Sequence, residues 1–203
     1  MLKKKFKELI GSYTNDNSLI NELWNEIERN YSAKKRHYHN LTHLENMLKE
    51  LDEVVVKIHH PEAILFSLFY HDIIYNPSTN NNEEKSAESA ARRMKELSVP
   101  DADIKRTEEQ ILATKSHHSL ENDTQYLIDA DLSILGQTQE VYSIYSQNVR
   151  KEFSIYPDFI YKSGRRKVLK DFLERERIFK TDYFYQKYEK AARINIENEL
   201  REI

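Results

Sequence analysis

The chain contains no cysteine. That excludes a disulfide framework and any thiolate metal site, so a tight metal centre here has to be built from histidine and carboxylates. Glycine and proline are scarce, 3 and 4 in 203 residues, which leaves little turn chemistry for a many-stranded sheet and favours long helices. Basic charge is not in excess either. The 31 Lys and Arg stand against 34 Asp and Glu, a net charge of −3, which argues against a protein that coats a nucleic-acid polymer. No hydrophobic run reaches membrane-spanning length, and no apolar core of a signal peptide follows the basic start Met1-Leu2-Lys3-Lys4-Lys5-Phe6-Lys7. The expectation is a cytoplasmic protein with no membrane partner. With no repeat, linker or composition shift, it is one all-α domain over residues 1–203.

What is present reads as helices separated by short polar turns. Asn15-Asp16-Asn17-Ser18 precedes Leu19, Ile20, Leu23, Trp24 and Ile27, a capped amphipathic helix. Thr42 and Glu45 have the spacing of a capping box ahead of Met47, Leu48 and Leu51, which places His43 in a first turn. Pro61 suits the start of the next helix and Asn76-Pro77 its stop. Ala87, Ala90, Ala91 and Met94 give a small-residue face after the polar loop 78–82. Ile104, Ile111 and Leu112 point inward on the following helix, and Lys115, His117 and His118 lie near its end. Asp123-Thr124 opens a helix that carries Asp129 and Asp131 and stops at Gly136. A tyrosine-rich helix from Thr138 and two further amphipathic stretches complete the chain, with Arg165-Arg166-Lys167 read as an exposed helix start.

Residues 64–75, Ile-Leu-Phe-Ser-Leu-Phe-Tyr-His-Asp-Ile-Ile-Tyr, are apolar on every side of His71 and Asp72. A helix of that kind is buried, and a buried carboxylate beside an imidazole needs a partner. A bound cation supplies one. A plain His–Asp hydrogen bond supplies another, and the dipeptide alone leaves both open. His43 and Asp131 are the other candidate ligands among apolar neighbours, and each taken singly has a packing or capping explanation.

The ordered set His43, His71-Asp72, Asp131 resembles the H…HD…D signature of the HD-domain superfamily of metal-dependent phosphohydrolases. The likeness extends to residues 36–43, 71–75, 83–87, 114–117, 129–136 and 149–152, which are similar to one bacterial subfamily of predicted HD phosphohydrolases. It implies an all-helical HD-type domain with a motif-bearing core over about 19–152 and C-terminal helices 153–203 packed on it. It also implies that His43, His71, Asp72 and Asp131 hold one divalent transition ion. Two imidazoles with two carboxylates suit Mn, Fe, Co, Ni or Zn, and suit Mg less.

The resemblance further suggests Asp72, Glu84 and His117 as catalytic residues. Glu84 would act as base or water-orienting group, though a helix N-terminal charge explains it equally. His117 would face phosphate, although helical periodicity turns His118 and Lys115 inward instead. Arg36, Lys115 and Arg150 are the candidate substrate-binding cations. The expected activity is hydrolysis of a small phosphorylated compound, a nucleotide among the candidates. The rival is a noncatalytic metal- or nucleotide-binding module, and a two-iron oxygenase of the same fold is a more distant third.

Overall fold

Ten α-helices and two 3₁₀ turns make up the regular structure of the computed structural model, which describes all 203 residues and contains no strand. The all-α expectation holds. The chain groups into two compact units, Met1–Ile128 and Asp129–Ile203. The division falls inside a helix, not near 152 where the motif span ends.

The first unit contains α1 (Leu2–Gly11), α2 (Asn17–Tyr31), α3 (Leu41–Glu53), α4 (Pro61–Tyr70), α5 (Asn82–Glu96), α6 (Asp101–Thr114) and the start of α7 (Asn122–Leu132). The basic N-terminal stretch is itself helical: Leu2, Phe6, Leu9 and Ile10 form a buried stripe while the lysines stay outside or half-buried. Asp16 caps α2 by accepting from Ser18 N and Leu19 N at 2.8 and 3.3 Å. At the centre is α4, which touches α1, α3, α5 and α6 and buries Ala63, Ile64, Phe66, Leu68, Phe69 and Tyr70 around its circumference. Phe6 stands edge-on to Phe69 at 4.9 Å and to Trp24 at 5.7 Å, which fixes α1 and α2 against it. Ser67 Oγ donates to Gln110 Oε1 at 2.7 Å across to α6.

Two details differ from the sequence expectation and bear on function. Asn40, not Thr42, caps α3, accepting from Thr42 N and His43 N at 2.9 and 3.4 Å. Asn is as good an N-cap as any residue. On α6 the buried face is Ile104, Thr107, Gln110, Ile111 and Thr114, whereas Leu112 is 42% exposed. Ile104 and Ile111 point inward as expected, but polar Thr and Gln fill the rest of that face and Leu112 does not belong to it.

The second unit holds the end of α7, α8 (Gln139–Glu152), α9 (Asp158–Glu174) and α10 (Asp182–Glu202). A 3₁₀ turn, Ser133–Gly136, follows α7 and packs on α10. A Cβ at Gly136 would lie 2.5 Å from Tyr188 Cβ, so glycine is required by close approach and not as a helix stop. Arg165 is buried inside α9 and not exposed at its start: Nε and Nη2 donate to Glu199 at 2.8 and 3.0 Å, Nη1 donates to Tyr145 Oη at 3.3 Å, and Tyr142 Oη donates to Glu199 at 2.5 Å.

Candidate metal centre

The HD dipeptide lies at the end of α4, where regular hydrogen bonding stops, and not within it. His71 is the C-cap and keeps its helical bond, N to Ser67 O at 2.8 Å. Asp72 is the first residue beyond, and its N–H donates to Tyr31 Oη at 3.2 Å. The carbonyls exposed at a helix C-terminus need donors. Arg36 provides them: Nη1 donates to Asp72 O at 2.6 Å and to His39 O at 3.0 Å, and Nη2 donates to Ile73 O at 2.9 Å. Its guanidinium lies over Tyr31 and Tyr75, 4.7 and 5.4 Å from the ring centroids. Ser86 Oγ accepts from Ile74 N at 3.1 Å, so α5 anchors the same turn.

Two almost fully buried imidazoles face each other here. His43 is 3% and His71 1% exposed, and their Nε2 atoms are 3.3 Å apart. The proton arrangement of His71 follows from its other nitrogen. Nδ1 is 3.0 Å from Leu68 O, and a carbonyl only accepts, so Nδ1 carries the hydrogen. In the neutral ring Nε2 then presents a lone pair. That lone pair is aimed at His43 Nε2 and lies 3.2 Å from Asp72 Oδ2. A nitrogen lone pair against a carboxylate oxygen repels unless a proton or cation lies between them. The pairs at 3.3 and 3.2 Å both fall below the roughly 4.2 Å that two atoms ligating one ion can span at bond lengths of about 2.1 Å.

Asp131 stands on the last turn of α7, an unbroken helix that begins in the first unit. His43, His71 and Asp131 each offer a ligand atom, all lying within 4.8 Å of one another, a group that could hold a metal ion. Asp72 is outside that mutual set and joins through His71.

The other expected residues fare differently. Glu84 is in the first turn of α5, with its carboxylate in an ion pair with Lys115 Nζ at 2.5 Å. That hydrogen bond holds the carboxyl below its usual range, while Oε2 is buried without a hydrogen-bond partner. Lys115 also donates to Asn80 O and lies 3.9 Å from Glu83, so its charge is met by acids of α5. Since α6 ends at Thr114, periodicity does not extend to the two histidines beyond it. His117 is half-buried with a left-handed backbone, φ 50°, and His118 is exposed. Arg150 is taken up by the α8–α9 turn, donating to Asp158 at 2.6 Å, Phe153 O at 3.0 Å and Tyr156 O at 3.1 Å. Arg36 thus binds backbone carbonyls beside the histidine cluster, and Arg150 closes a turn.

Sequence reasoning assigned no role to His39 and Tyr31, which approach Asp72, or to Tyr75, on which His39 stacks. The only signal was local: an aromatic and basic run, Arg36-His37-Tyr38-His39, immediately before the Asn40 cap. No helix is long and apolar enough to cross a membrane. No family model, no curated protein and no solved structure matches this chain.

Proposed function

We propose that this chain is a metal-dependent phosphohydrolase acting on a phosphate ester or anhydride of a small molecule, of which nucleotides are the first class to test. The observation that carries the reading is the pairing of His71 Nε2, a lone-pair donor by virtue of its Nδ1–H···O=C bond, with His43 Nε2 at 3.3 Å and Asp72 Oδ2 at 3.2 Å. A cation between these atoms would relieve the contact. His43, His71, Asp72 and Asp131 would hold one divalent ion from among Mn, Fe, Co, Ni and Zn. Bound there, the ion would supply Lewis acidity, making water acidic near neutral pH and polarising a phosphoryl oxygen.

The chain's own residues have definite tasks in this scheme. His71 is held in its ligating tautomer by Leu68 O, and Asp72 is held in place through its backbone by Arg36 and Tyr31. Glu84 is ionised at neutral pH because Lys115 stabilises its charge. A carboxylate so held is a weak base, and its role is to orient water through Oε2, which has no partner of its own. Lys115 is 40% exposed at its side chain and can exchange Glu84 for an incoming phosphoryl oxygen. His117 is the remaining candidate for contact with the leaving group.

A second reading is favoured by the engagement of Arg36 and Arg150 within the protein: a module that binds metal and senses a ligand without turning it over. Phosphate release from a nucleotide panel in added Mn or Co separates the two. The hydrolase reading expects turnover in wild type that His71→Ala and Asp72→Ala abolish. Equal release by all three proteins would remove the metal mechanism, and tight metal binding without release from any substrate would favour the module.

A further inference from the structure

The segment ahead of α3 brings a third imidazole to the cluster. His39 immediately precedes the Asn40 cap and is four residues before His43. Within a helix that spacing would put both rings on one face, but His39 lies outside the helix and is positioned by its neighbours. Its ring stacks on Tyr75 at 4.4 Å and 30°, and stands edge-on to Tyr38 at 4.8 Å. Arg36 fixes the backbone on both sides of the gap, since the one nitrogen, Nη1, donates to the carbonyls of His39 and Asp72. The result is that His39 Nε2 lies 4.0 Å from Asp72 Oδ2. That is too long for a hydrogen bond and still inside the roughly 4.2 Å available to two ligands of one ion. His39, His43, His71 and Asp72 all belong to the first unit.

We propose that His39 is a further ligand of the ion, so that the first unit alone supplies three imidazoles and one carboxylate. The inference rests on the metal-centre reading and adds two chemical consequences to it. Three neutral nitrogen donors favour Fe, Co, Ni or Zn over Mn and further disfavour Mg. With Asp131 also bound, fewer positions on the ion would remain for water or a substrate oxygen.

The test is Co(II) binding to protein stripped with chelator, followed by the visible absorption band and by competition with a chelator for affinity. Wild type, His39→Phe and His71→Ala are compared. Phenylalanine keeps a ring against Tyr75 and removes only the nitrogens, so thermal unfolding of the metal-free variant should match wild type; if it does not fold, His39→Gln serves in its place. The expected result is Co(II) uptake by wild type, with affinity in the position-39 variant weaker by about tenfold or more and its visible band displaced. An unchanged band and affinity in that variant would remove His39 from the ligand set and leave the metal centre standing. No uptake by wild type would overturn the metal centre itself, and this inference with it.

Discussion

In the second unit Arg165 meets Glu199 and Tyr145 donor to acceptor, and Tyr142 adds its hydroxyl to the same carboxylate. In the first unit His71 turns a lone pair toward another imidazole and a carboxylate. Both clusters are buried and polar, and both cost desolvation. The first pairs a guanidinium and a hydroxyl with a carboxylate; in the second, a proton or a cation between the facing atoms relieves the lone-pair contact. Burial of charged residues therefore does not by itself identify a functional site.

The largest effect separating the clusters is expected at Arg165. Arg165→Met leaves Glu199 buried and unpaired and should cost about 3–5 kcal/mol in denaturant unfolding, whereas adding Glu199→Leu should restore most of that loss. Metal affinity should stay unchanged in both variants. At the histidine cluster the expectation reverses. Asp72→Asn should leave the metal-free protein as stable as wild type or more so, because it removes a carboxylate that faces a lone pair. Adding Mn or Co at a hundred times its dissociation constant should stabilise wild type by about 2.7 kcal/mol and His71→Ala not at all, read as a shift in thermal midpoint.

A smaller effect is expected at Arg36, whose guanidinium holds the Asp72 carbonyl. Arg36→Ala should weaken metal retention about tenfold and leave the substrate KM unchanged at saturating metal. A raised KM with metal affinity intact would return Arg36 to the phosphate-binding role that the sequence suggested. The smallest effect concerns pH. Burial raises the Glu199 carboxyl, and the hydrogen bonds from Arg165 override it to leave the group below its ordinary 4.5. A depressed folded value adds stability above pH 4.5 that is lost as pH falls through that lower value. Glu199→Gln should flatten this acid limb in a profile of thermal midpoint against pH.

Most of the fold was legible because apolar spacing, caps and the scarcity of turn residues agree. The all-helical class followed from composition, and α2, α4 and α5 from their patterns. Helix α1 was not anticipated, because its lysines mask the stripe of Leu2, Phe6, Leu9 and Ile10. On α6, Ile104 and Ile111 were legible but Leu112 was misplaced, because the rest of the buried face is Thr107, Gln110 and Thr114, and only tertiary partners such as Ser67 make that acceptable. At the candidate site the convergence of His43 and His71 could be anticipated from the motif order. The use of Arg36 and Arg150 could not, since an arginine that meets backbone carbonyls and one that meets phosphate are the same letter. Arg165 was misplaced for a related reason: its partner is Glu199, 34 positions away, beyond the reach of any local pattern.

Arg36 also bears on the order of events in time. Its bonds to Asp72 and Ile73 join positions 36 and 37 residues apart, so the turn that presents Asp72 is complete only after α2, α3 and α4 have docked. Contacts of that range are late to form, and a ligand that needs them acts on the finished structure. It follows that an ion bound there would slow escape from the native state and leave the rate of reaching it unchanged. It would act as a kinetic lock on the folded chain, and its removal would shorten the protein's lifetime before altering its shape.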